Sequence, residues 1–87
     1  MNLKDLATIV EKPLNIEKKD GIWYVRIQSL EVIKGGLLVS AYGRGSTKAL
    51  AIHDYVIDIQ GKRVVVDSFR ETRREFQLPT IMSKTLR

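Results

Sequence analysis

Leu3, Leu6, Ile9 and Val10 recur at helical spacing near the start of the chain, so the pattern predicts a short amphipathic helix over residues 2–11. Asn2 is placed to cap it, and Pro13 stops it. Residues 14–17 then read as a strand. Lys18, Lys19, Asp20 and Gly21 form a hairpin turn in which Gly21 takes the positive φ that such loops demand. Period-two alternation is clearest over residues 22–33. Trp23, Val25 and Ile27 share one face of that strand, and Ile22, Tyr24, Arg26 and Gln28 share the other. The segment is long for one strand, which predicts a bend or bulge near Gln28 and Ser29.

Lys34, Gly35 and Gly36 give a second tight turn, and residues 37–42 return as a strand. Residues 43–47 break that strand and open a helix capped by Ser46 or Thr47. The helix runs over residues 46–60, with an apolar stripe of Ala49, Ile52, Val56 and Ile59 widened by Tyr55. Gly61 falls where a left-handed residue commonly ends a helix. Residues 62–69 return as a strand, and residues 75–78 as a short edge strand ended by Pro79.

Strands joined by short hairpins are antiparallel, and a helix after such a meander packs on one sheet face. The expected fold class is therefore α+β. It has an antiparallel sheet of three to five strands, the main helix over residues 46–60 on one face, and a short N-terminal helix. Residues 1–79 are expected to form a single domain, and residues 80–87 a flexible basic tail. A chain of 87 residues supports one domain with a thin core. Thin core and unpaired strand edges together predict a homodimer.

The absence of cysteine excludes disulfides, cysteine metal sites and thiol nucleophiles, and fits a reducing compartment. No apolar run approaches the roughly 18 residues of a membrane span, and the N-terminus lacks the plan of a signal peptide; a cytoplasmic location is expected. His53 is the only histidine and has no metal-ligating company, so it reads as a boundary residue of the helix. Asp54 and Asp58 share a helix face at i, i+4, which reads as a solvated face. No catalytic residue, metal or cofactor is expected, and the chain reads as a non-enzyme.

Charge adds two candidate sites. The net charge is +5, and most of it lies in residues 62–87, which suggests either an anionic partner or a solubilising tail. Lys62, Arg63, Arg70, Arg73 and Arg74, with Phe69 and Phe76 among them and Trp23, Tyr24 and Tyr42 on neighbouring strands, are candidates to bind single-stranded nucleic acid by pairing phosphates and stacking bases. The aromatic residues read first as core, and as a stacking surface only second. Gly43, Arg44, Gly45, Ser46 and Thr47 at a helix N-terminus are candidates for an anion or small nucleotide. The alternative is a strand-to-helix turn that needs glycine geometry and a cap, and neither the phosphate-loop nor the dinucleotide motif is present.

Tyr42-Gly43-Arg44-Gly45-Ser46-Thr47, Ala49-Leu50, Asp54-Tyr55, Ile59, Gly61-Lys62-Arg63 and Val64-Val65-Val66 resemble short uncharacterised proteins from phages of Gram-positive bacteria. Arg73-Arg74-Glu75-Phe76-Gln77-Leu78-Pro79 looks like the basic stretch that ends in proline in those proteins. The order of strand, glycine turn, threonine and Ala-Leu helix is also similar to the HicB antitoxin domain, although Lys48 replaces acidic residues of that pattern. The first resemblance implies a phage origin, and the second a small sheet carrying a helix. Together with the poor catalytic inventory they lead to the expectation of a small binding protein that acts on a host or phage macromolecule.

Overall fold

The structure, a computed structural model, describes residues 1–86. Its elements run α1 (Leu3–Val10), β1 (Leu14–Lys19), β2 (Ile22–Ile27), β3 (Leu30–Lys34), β4 (Leu37–Val39), β5 (Gly43–Gly45), α2 (Lys48–Ile59), β6 (Arg63–Val66) and β7 (Arg74–Gln77). The class is α+β with a short N-terminal helix and one main helix, as the pattern predicts. The strands divide into two antiparallel sheets, ordered β1-β2-β5 and β4-β3-β6-β7.

The division begins at Ser29. Residues 22–33, expected as one bent strand, are two strands in different sheets. Ser29 takes φ +61, which ends the ladder of β2, and its carbonyl accepts a hydrogen bond from the Asp67 N–H at 3.2 Å. The buried face changes phase across this break, from Val25 and Ile27 to Leu30 and Val32.

Both turns follow from glycine. Asp20 and Gly21 (φ +52 and +79) join β1 to β2, and Gly35 and Gly36 (φ +57 and +82) join β3 to β4. Positive φ at both central residues is the two-residue turn whose twist matches a hairpin. Helix α1 starts on a reciprocal cap: Asn2 accepts from the Asp5 N–H at 2.9 Å and donates its own N–H to Asp5 Oδ2 at 3.0 Å.

Both sheets and both helices share one core. Leu3, Leu6 and Val10 of α1 and Ile52, Tyr55, Val56 and Ile59 of α2 meet Val25 and Ile27 from the first sheet, and Leu30, Val32, Val64 and Val66 from the second. Ala51, not Ala49, is the alanine that α2 buries; Ala49 is exposed. Tyr55 is fully buried, and its hydroxyl accepts the Ile27 N–H at 3.1 Å. Burial pushes that hydroxyl up to about 12, with the Ile27 N–H acting in the opposite sense.

The segment expected as a flexible tail holds Met82, which is buried in the core. The Met82 N–H donates to Gln60 Oε1 at 3.1 Å, and the Ser83 N–H to the Met1 carbonyl at 2.8 Å. Leu86 packs on the same core. The part of that tail formed by Arg87 lies outside the described residues.

Candidate functional site

Residues 43–45 are a strand, which corrects the expectation of a glycine turn there. Gly43 and Gly45 pair with Val25 and Trp23, and α2 lies directly on them. A Cβ on Gly43 would stand 2.2 Å from the Ala51 carbonyl oxygen, and one on Gly45 would stand 2.7 Å from the Ala51 nitrogen. The glycines thus serve close helix–strand contact. Thr47 caps α2 by accepting the Leu50 N–H at 3.1 Å, whereas Ser46 is exposed beside it. The Arg44 N–H is taken by Asp54 Oδ2 at 3.0 Å, which sets a carboxylate against this backbone. Asp54 therefore has a partner, and His53 is exposed on the same helix.

The basic residues gather around the β6–β7 hairpin, where internal contacts engage most of them. Arg63 pairs with Glu75 at 2.9 Å, and Arg73 approaches the same carboxylate at 3.6 Å. The two arginines hold the Glu75 carboxyl below its ordinary value, Arg63 most strongly. Lys62 donates to the Asp58 carbonyl, and Arg74 donates to the Val10 carbonyl while lying 5.8 Å from the Phe76 ring. Of the five, Arg70 alone has a side chain with no hydrogen bond or ion pair among the described residues. The aromatic residues divide. Trp23 and Phe76 pack on the core, with Lys18 and Lys48 each 5.9 Å from the Trp23 ring. Tyr24 and Tyr42 meet on the outer face of the first sheet, with centroids 6.0 Å apart.

The strand expected over residues 62–69 ends at Val66, because Asp67 takes φ +55 and leaves the ladder. Asp67 is buried and organises the loop that follows. Lys12 pairs with its Oδ1 at 3.0 Å, the Thr72 hydroxyl donates to its Oδ2 at 3.0 Å, and its carbonyl accepts the Arg70 N–H at 3.0 Å. The Lys12 hydrogen bond, ahead of that from Thr72, holds the Asp67 carboxyl below its ordinary value. The Ser68 hydroxyl is tied to Glu31, and the Arg73 N–H to the Arg70 carbonyl. A cleft of about 540 Å3 opens beside this clamp, between Lys12, Arg70 and Arg74.

At the crest of this braced loop, Phe69 is 94% exposed. Arg70 and Glu71 follow it directly along the chain, and Arg73 and Arg74 come after Thr72. The sequence pattern places Phe69 inside a strand among residues suited to stacking bases, whereas the structure places it on an exposed loop after β6. The one local signal was Asp67-Ser68 at the end of a valine run, a pair suited to turns. Among the described residues there is no cluster of three or more histidine, cysteine, aspartate or glutamate side chains that could hold a metal, and no helix long and apolar enough to cross a membrane.

No family model, curated protein or solved structure matches this chain, so its function is read from its own geometry.

Proposed function

We propose that this is a non-enzymatic binding protein whose partner is a protein, engaged by Phe69 and the arginines around it. One observation carries the reading: a phenylalanine ring almost wholly in water on a loop that an ion pair to buried Asp67 and several hydrogen bonds hold in shape. An exposed aromatic costs solubility and contributes nothing to the fold, whereas a pre-ordered aromatic is an effective anchor for an interface, because little entropy is lost on docking. Residues 68–74 carry Arg70, Arg73 and Arg74 against Glu71, a local charge of +2. The complementary surface is an apolar pocket with an acidic rim. In this reading the chain acts in a host cell on a host or phage protein, as the phage resemblance implies.

The test is capture by the immobilised full-length chain, comparing the natural sequence with Phe69→Ala. The reading expects a partner whose affinity falls at least about tenfold in the variant, with an unchanged melting temperature. Equal capture by both chains contradicts it. Nucleic acid is the alternative partner, and a salt-steep gel shift that Phe69→Ala leaves unchanged would favour it.

A further inference from the structure

The outer face of the first sheet carries side chains that the fold does not use. Val25 and Ile27 of β2 are turned to the core, so alternation turns Tyr24 and Arg26 outward. Neither Tyr24 nor Tyr42 is part of the shared core. Their rings nevertheless keep company, tilted at 51° to each other, with Tyr42 49% exposed. In the ladder Glu17 lies beside Tyr24, and Asn15 beside Arg26. These five side chains line a cleft of about 430 Å3, a volume that suits a small ligand. Lys19 and Asp20 line the rest of it where β1 turns into β2, with charges that offset one another. Arg44, on the other side of Tyr24, opens onto a separate cleft with Asp54 and Asp58.

Glu17 and Arg26 are both exposed and stand diagonally on neighbouring strands, an arrangement that can bring opposite charges together. Neither side chain forms a hydrogen bond or ion pair among the described residues. A ligand that uses all three groups offers a flat face to Tyr24, hydrogen-bond donors to Glu17 and an anion to Arg26.

We infer that this cleft binds a nucleotide, with guanine as its base. Bases stack on tyrosine rings and are read along their Watson–Crick edges. A carboxylate only accepts hydrogen bonds, through two oxygens. Guanine sets two donors side by side, the ring N1–H and the exocyclic amino group, and so matches both oxygens of Glu17. Adenine and cytosine put a ring acceptor beside their amino group, which a carboxylate repels. Arg26 lies two residues beyond Tyr24 along β2, about 7 Å away. That separation is close to that of a base from its own phosphate, and a guanidinium grips phosphate with two parallel bonds. Glu17 and Asp20 balance Lys19 and Arg26 around the cleft, which suits one phosphorylated ligand better than a run of phosphates. The site lies on a different sheet from the strand that leads to Phe69 and goes beyond the Phe69 reading.

An NMR titration of the full chain tests this with guanosine monophosphate, adenosine monophosphate, guanosine, inorganic phosphate and a guanine-containing oligonucleotide. Guanosine monophosphate is expected to bind with a Kd of about 10–100 µM and to shift amide signals over residues 15–26. Adenosine monophosphate and guanosine should each bind at least about tenfold more weakly. Arg26→Gln should weaken guanosine monophosphate at least about tenfold and leave guanosine unchanged. Glu17→Gln should remove the preference for guanine over adenine. Both positions are exposed, so the melting temperature should hold in each variant. Tyr24→Ala should weaken the nucleotide and the nucleoside alike; should it not fold, the two exposed variants decide alone. No shift at about 5 mM guanosine monophosphate overturns the inference. So does equal binding of the adenine nucleotide, binding no tighter than that of inorganic phosphate, or binding seen only with the oligonucleotide. Phe69→Ala should bind guanosine monophosphate normally, so this inference and the Phe69 reading fail separately.

Discussion

Asp67 shows how one residue sets both structure and site. Its left-handed φ ends β6, its carboxylate binds Lys12 and Thr72, and its N–H reaches Ser29, where β2 and β3 part. Because the folded carboxyl titrates below its ordinary 3.8, the unfolded chain takes up the proton first. Its contribution is therefore complete above the unfolded value and lost as pH falls through the folded one. Asp67→Asn keeps a residue that tolerates left-handed φ and removes only the charge. Urea unfolding should find the variant less stable at pH 7, with the gap closing toward pH 3; an equal gap at both values would argue that Lys12 plays no part.

Tyr55 makes the opposite case. Its raised value of about 12 means that stability is intact below pH 10 and falls as pH rises from there through 12. Tyr55→Phe should lose roughly 1–3 kcal/mol by leaving the buried Ile27 N–H unsatisfied, and should lack the alkaline loss seen in the natural chain. Thermal melts of both proteins from pH 8 to 12 would check each part.

At the scale of elements, local chemistry was legible and long-range partnership was not. Gly21, Gly35 and Gly36 announced their hairpins because few other residues take those φ values, and Asn2 and Thr47 announced the helix starts. The break at Ser29 gave a weaker sign, the shift of buried phase between Ile27 and Leu30. Its consequence, a change of sheet, depends on Asp67 far along the chain. The glycines of β5 were legible as special but pointed to the wrong use, because a need for close packing and a need to approach a phosphate select the same residue. Gly43→Ala distinguishes them. Its Cβ meets the backbone of α2, which cannot withdraw, so the loss should be about 3 kcal/mol or more. A melting temperature within a degree or two of the natural chain's would show that α2 does not rest on β5 as described.

For the whole molecule, the order of helices and hairpin-linked strands placed the chain in the α+β class, and binary pattern found most of the core. Two sheets facing a shared pair of helices were not foreseeable from alternation, because each strand's pattern is the same in either sheet. The same limit applies to the site. The basic strip could be read from the sequence, but its pairing with Glu75, Asp58 and the Val10 carbonyl could not. What remains outside those contacts is a braced loop that carries exposed Phe69 and, next to it, Arg70. Its docking on another protein is tested most directly by placing a photo-activated phenylalanine analogue at position 69 of the full chain in the producing cell, with a second analogue at exposed Ala49 as reference. A single protein cross-linked from position 69 and absent from position 49 is the predicted result. No cross-link from position 69, or the same products from both positions, would contradict the account.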